Sequence, residues 1–163
     1  MTVCTGNICR SPMAEIVLRD RFEAAGLGDF VVVDSSGVSD EEHGNLVDPR
    51  ARAVLAEHGY LTGGGHHARQ VTAADVGSRD LVLAMTTRHA RGLRDLAEQG
   101  DPVIRMYRSF DPAGHGLPEN ELDIADPWYG GPHDFEVCLA QIEAAADGVV
   151  DFVRGELGVS SGA

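Results

Sequence analysis

The 163-residue chain contains no lysine, and all 13 of its basic residues are arginine. That absence excludes the lysine of a P-loop nucleotide hydrolase, a Schiff-base lysine and a pyridoxal-phosphate anchor, while bidentate guanidinium chemistry stays open. Cysteine is scarce as well. Cys4, Cys9 and Cys138 form no C-x-x-C pair, which argues against a disulfide framework or a Cys-rich zinc site and makes reduced, cytoplasmic thiols the expectation. No apolar run reaches the roughly 18 residues of a membrane span, and no charged-then-apolar targeting segment opens the chain. The 26 acidic residues leave a formal net charge of −13 and a pI near 4.7, opposing loose binding to nucleic acid or to an anionic membrane. An anionic substrate must therefore be held by local charge. The seven histidines include no H-E-x-x-H pattern, so no metal and no cofactor are expected.

What is present is an ordinary globular composition, 43% apolar and 24% charged, over a length that suits one domain. Short β-branched runs alternate with helical segments. Strands are expected at Met1 to Val3, at Phe30 to Val33 (a continuous apolar run, buried on both faces), at Leu81 to Met85 and at Val103 to Met106. Ser11 is the expected cap of a first helix, with Pro12 in its first turn and Gly26 at its stop. Further helices are expected from Asp48-Pro49 to Gly59, from about Thr87 to Ala97, and from Asp134 to about Leu157. The last has Phe135, Val137, Cys138, Ile142, Val149, Phe152 and Val153 as its apolar positions. The tail from Gly158 to Ala163 should fray. Such alternation implies an α/β fold, a parallel sheet with helices on both faces and its ligand site beyond the carboxyl ends of the strands. The stretch from Ser109 to Pro132 is too long for a plain connection and so marks a functional loop.

At one carboxyl end lies the loop Cys4 to Arg10, between a strand and a helix start. Inward backbone N–H groups, the positive end of the helix dipole and the Arg10 fork make an anion cradle there, and Gly6 is expected to take the conformation that a Cβ forbids. The same field favours the thiolate of Cys4, an in-line nucleophile beneath a bound phosphoryl group. The Ser11 hydroxyl is placed to hydrogen-bond that sulfur.

The run Val3-Cys4-Thr5-Gly6-Asn7-Ile8-Cys9-Arg10-Ser11-Pro12 resembles the signature of the low-molecular-weight protein tyrosine phosphatases. A second match, Asp126-Pro127-Trp128-Tyr129-Gly130, lies far along the chain, with lesser ones at Asp34-Ser35, Asp48-Pro49-Arg50-Ala51 and Ala68-Arg69-Gln70. The resemblance implies one flavodoxin-like domain over residues 1–157, a four-stranded parallel sheet in the order 2-1-3-4, here with a shortened first strand. It also implies the chemistry. Cys4 attacks phosphotyrosine, Arg10 and the amides of Thr5, Gly6, Asn7, Ile8 and Cys9 hold the phosphoryl oxygens, and Asp126 protonates the leaving phenol and then activates water. By the same resemblance Ser11, Asn7, Ser35, His66 and Glu15 support the loop, Trp128 and Tyr129 grip the aromatic ring, and Cys9 protects Cys4 by a reversible disulfide. A monomer acting on phosphotyrosine proteins and blocked by inorganic phosphate or vanadate is expected.

Two departures stand out. Glu41-Glu42-His43 occupies the place of an aromatic cleft wall, which shifts preference toward basic flanking residues, and Thr86-Thr87 follows the third strand where the family has an acidic residue. Three other readings compete. A protein arginine phosphatase on the same fold has Thr where this loop has Ile8, and a thiol-dependent arsenate reductase needs further cysteines that residues 82–100 lack. An idle phosphate-binding module would need neither Cys4 nor Asp126.

Overall fold

A computed structural model of the chain describes residues 1–63, 65–97 and 103–159. Four parallel strands, β1 (Thr2–Cys4), β2 (Ser35–Gly37), β3 (Leu81–Ala84) and β4 (Val103–Met106), form one sheet in the order β2-β1-β3-β4. Among the described residues five α-helices accompany them: α1 (Arg10–Ala24), α2 (Pro49–Glu57), α3 (Ala73–Gly77), α4 (Thr87–Leu96) and α5 (Pro132–Glu156). Successive residues of β3 face opposite sides of the sheet. Leu83 joins a core with Met13, Val17, Tyr107, Phe135 and Ile142, whereas Val82 and Ala84 join Val3, Val76, Ala90 and Leu93 on the other side. Helices thus cover both faces, as expected.

The second strand is the main correction. Phe30 to Val33 forms no strand, Phe30 is 68% and Val32 91% exposed, and the ladder starts only at Ser35. A strand exists only where a neighbour offers a backbone. Because β1 runs from Thr2 to Cys4, the register Thr2↔Ser35 and Cys4↔Gly37 puts Ser-Ser-Gly opposite it and leaves residues 30–33 beyond its end.

Smaller differences have local causes. Ser11 does not cap α1; the cap position is Cys9, without a side-chain bond, and Ser11 sits inside the first turn. Val137 is 42% exposed, because the buried stripe of α5 runs through Phe135, Cys138, Leu139, Ile142, Ala146 and Val149. α3 was not anticipated, although Thr72 and Asp75 form the capping box that opens it. Asp48 caps α2 by accepting the Arg50 N–H at 2.8 Å. Of the expected frayed tail, residues 160–163 lie outside the described residues.

Candidate active site

The loop from Cys4 to Arg10 leaves the carboxyl end of the central strand and runs into α1. Five of its carbonyls are held from outside: Cys4 O by Val38 N–H, Thr5 O by Ser39 N–H, Asn7 O by His66 Nε2–H, Ile8 O by Asp48 N–H and Cys9 O by Met13 N–H. Carbonyls turned outward leave the peptide N–H groups turned inward, and the first turn of α1 carries no side-chain cap to occupy its own. This is the backbone of an anion cradle.

Asn7, not Gly6, supplies the left-handed residue: its φ is 59°, which asparagine tolerates better than most side chains. Its fully buried amide holds the turn. Nδ2 donates to Ser11 Oγ and to Ser35 Oγ, each at 2.9 Å, and Oδ1 accepts the Arg69 N–H at 3.1 Å. A Cβ on Gly6 would meet only the Glu42 side chain, whereas one on Gly37 would stand 2.4 Å from Thr5 O and 3.0 Å from Asn7 N. The strand beneath the loop is therefore glycine by close approach, a requirement that nothing local in the sequence announces.

Cys4 is buried, with Sγ 3.0 Å from Ser11 Oγ. Asn7 fills one lone pair of that hydroxyl, and its hydrogen has two acceptors within reach, Ser36 O at 3.2 Å and the sulfur. Arg10 lies across the same cavity. Nη1 donates to Ile124 O at 3.0 Å, Nη2 to Asp126 Oδ2 at 2.6 Å and to Thr5 Oγ1 at 3.3 Å, and its buried Nε has no partner among the described residues. Asp126 caps the short 3₁₀ turn Pro127–Tyr129 by accepting Trp128 N–H, so its carboxylate faces Arg10 across 116 positions of sequence.

A cavity of about 180 Å³ is lined by Cys4, Thr5, Gly6, Arg10, Asp126, Glu41 and Glu42, with Trp128 and Tyr129 at its mouth. The two aromatic rings meet edge-on at 5.1 Å and are 47% and 84% exposed, so neither belongs to the core. Glu41 and Glu42 form the acidic wall where an aromatic one was the family pattern. Arg50 steadies the loop opposite, donating to Trp128 O and Gly130 O while paired with Asp48.

His66 reaches the loop, whereas the adjacent His67 turns to Gly44 O. Glu15, expected in the same network, is buried in an ion pair with Arg19 at 2.5 Å. Cys9 is buried within the loop, and burial, with the nearby Asp48 charge, pushes its thiol well above the ordinary range. Burial likewise raises Cys138 to about 12, consistent with a packing role. His89 lies in α4, and its ring bridges Thr5 and Thr86. Its burial and the charge of Arg10 push its pKa down to about 3. No local pattern marks a contact that spans 84 positions.

A doubly covered parallel sheet with a thiol and a guanidinium at the carboxyl end of its central strand defines a class of α/β proteins that hold an oxyanion over a cysteine. The particular family follows from comparison. Residues 1–157 match the family model described as low molecular weight phosphotyrosine protein phosphatase. The low molecular weight protein-tyrosine-phosphatase of Streptomyces coelicolor is 48% identical over 157 residues, 95% of this chain and 93% of that one. Protein-tyrosine phosphatase A of Mycobacterium tuberculosis is 45% identical over 155 residues, covering 95% and 91%. Among solved structures, the Entamoeba histolytica protein tyrosine phosphatase with Hepes in its active site superposes with a TM-score of 0.83 at 28% identity, covering 96% of each chain. The chain belongs to this family of hydrolases, the low molecular weight protein-tyrosine phosphatases.

Proposed function

We propose that the chain hydrolyses phosphotyrosine in proteins through a phosphocysteine formed on Cys4. The observation that carries this reading is the convergence of Cys4, Arg10 and Asp126 on one small cavity whose rim is aromatic. Cys4 attacks phosphorus as a thiolate while the ester P–O bond breaks, and Asp126 gives its proton to the departing phenol oxygen. Water then attacks the phosphocysteine, Asp126 takes its proton, and the S–P bond breaks to release phosphate. Ser11, 3.0 Å from the sulfur, turns its hydroxyl toward the leaving thiolate.

Arg10 changes partner during the cycle. In the free site it holds Asp126 at 2.6 Å; a phosphoryl group entering the cradle takes that guanidinium edge and the orphaned Nε, and so frees the carboxyl for the ester oxygen. The amides of Thr5, Gly6, Asn7, Ile8 and Cys9 complete the oxyanion shell. Trp128 and Tyr129 clasp the phenyl ring, which suits a long aromatic phosphoester over short phosphoserine. Inorganic phosphate and vanadate should compete for the same cradle.

The test is phosphate release from a phosphotyrosine peptide and a phosphoarginine peptide, with wild type, Cys4→Ser and Asp126→Asn. Turnover of the first that vanishes in Cys4→Ser supports the reading, and Asp126→Asn should lose about 10² to 10⁴ in rate. That loss should shrink on an aryl phosphate whose phenol already leaves well. Preference for phosphoarginine would assign the site to the other chemistry, and full activity in Cys4→Ser would rule out the covalent route.

A further inference from the structure

Thr5 stands between a guanidinium and an imidazole. Its Oγ1 is 3.3 Å from Arg10 Nη2 and 2.9 Å from His89 Nε2. Arg10 can only donate. The role of Nε2 depends on which ring nitrogen of His89 carries the proton, and the opposite side of the ring bears on that. Thr86 Oγ1 caps α4 by accepting the backbone N–H of His89 at 3.3 Å, and it lies 3.0 Å from His89 Nδ1. With one lone pair so occupied, the Thr86 hydroxyl hydrogen is free to be given to Nδ1. A neutral ring that accepts at Nδ1 carries its only N–H at Nε2, directed at Thr5. His89 is 2% exposed, with the Arg10 charge nearby, and both circumstances keep the ring neutral.

We propose that His89 is a positioning residue for phosphoryl binding, acting through Thr5. Its Nε2–H fills one lone pair of the Thr5 hydroxyl and Arg10 fills the other, so the one thing Thr5 can still offer the cavity is its O–H. The inference rests on the reading of the Cys4 cavity as a phosphoryl site. In the opposite tautomer Thr5 would spend its hydrogen on Nε2 and turn a lone pair toward the anion, a repulsive arrangement that a bound phosphoryl oxygen selects against. Thr5 is a lining residue of the cavity, and it follows the nucleophile directly in the chain. The chain Thr86, His89, Thr5, Arg10 also ties the start of α4 to the cradle, occupying the place after the third strand where the family pattern has an acidic residue. A neutral imidazole supports the loop there without placing a second negative charge beside the phosphoryl group.

The experiment is a double-mutant cycle on the folded protein, read by the inhibition constant of inorganic phosphate and by kcat/KM on a phosphotyrosine peptide. Thr5→Val and His89→Leu should each weaken phosphate by about ten- to a hundredfold, the usual worth of a hydrogen bond to a charged group. The double variant should be no worse than either single one, because both remove the same directed O–H. Thr5→Ser should keep most of the affinity, and His89→Gln, which retains an N–H near the Nε2 position, should recover part of what His89→Leu loses. Nitrogen-15 spectra of the wild-type imidazole with phosphate bound should show the Nε2–H tautomer. Additive losses, unchanged phosphate affinity in Thr5→Val, or an Nδ1–H tautomer would each overturn the proposal. The spectra and the two Thr5 variants decide it even if His89→Leu fails to fold. A wild-type protein that neither binds phosphate nor shows Cys4-dependent turnover would instead remove the phosphoryl-site reading beneath it.

Discussion

Replacing Asn7 by alanine should cost about 4 kcal/mol of folding stability. The sum has two parts. Three buried side-chain bonds are lost, to Ser11 Oγ, to Ser35 Oγ and from the Arg69 N–H, each worth about 1 kcal/mol net. A backbone held at φ 59° then adds roughly 1 to 2 kcal/mol for a residue with a Cβ and no polar group to steady it. Glycine at the same position avoids the backbone strain, but its larger unfolded-state entropy costs about 0.5 to 1 kcal/mol on top of the three lost bonds, so Asn7→Gly should lose about 3.5 to 4 kcal/mol. Either loss is a large share of the roughly 5 to 15 kcal/mol of a typical domain. Urea unfolding measures both, and at a slope of about 2 kcal/mol per molar the midpoint should fall by about 2 M in Asn7→Ala. Ser35→Ala, which removes one of the three bonds, should cost about 1 kcal/mol in the wild type and nearly nothing in the Asn7→Ala background. A loss below about 1.5 kcal/mol in Asn7→Ala, or a Ser35→Ala cost independent of Asn7, would refute the idea that this amide holds the loop.

Gly37→Ala drives a Cβ to within 2.4 Å of Thr5 O, so it should lose about 1 to 3 kcal/mol in urea unfolding and weaken phosphate inhibition, both because the cradle backbone has to shift. Arg50→Met keeps an unbranched side chain to lie against Phe135 but removes the bonds to Trp128 O and Gly130 O; kcat on phosphotyrosine should drop about tenfold, with little change in the phosphate inhibition constant. Acid stability should reflect Asp34 and Asp75. Burial alone would raise both carboxyls, but Arg79, the Met1 ammonium and Arg69 around Asp34, and Thr72 and Arg69 around Asp75, pull them below their ordinary values. Carboxyls lowered in the folded state stabilise it above the unfolded pKa. Thermal unfolding temperature should therefore hold from neutral pH to about 5 and fall below about 4, and Asp34→Asn should flatten that acid limb. An acid limb unchanged by Asp34→Asn would exclude this cluster as its source.

Much of the site was legible because its parts are local. Cys4, Gly6, Asn7, Arg10 and the Pro12 helix start lie within nine positions, so the strand-to-helix junction is legible in the local sequence, and Asp126-Pro127 announces its turn in the same way. The strands β3 and β4 read correctly, since apolar β-branched runs there do lie against a neighbour. The Phe30 to Val33 run misled because hydrophobicity says that a segment can form a strand, whereas register says what it lies beside. Once β1 takes Ser35 to Gly37, the apolar run has no ladder. Gly6 was credited with a left-handed turn that Asn7 makes, a difference that composition cannot show.

What the sequence determined by itself was the candidate site residues Cys4, Arg10 and Asp126 and the strand-to-helix junction that carries the first two, because each is marked by neighbours within a few positions. Only the tertiary structure decided the further supports: Gly37 beneath the loop, Arg69 on Asn7, Arg50 against the Asp126 turn, and His89 on Thr5. These are long-range contacts, set by strand order and by the packing of α1 and α4 on the sheet. Such contacts leave no periodic trace in the chain, since one hydrogen bond across 84 positions constrains a single residue and nothing around it.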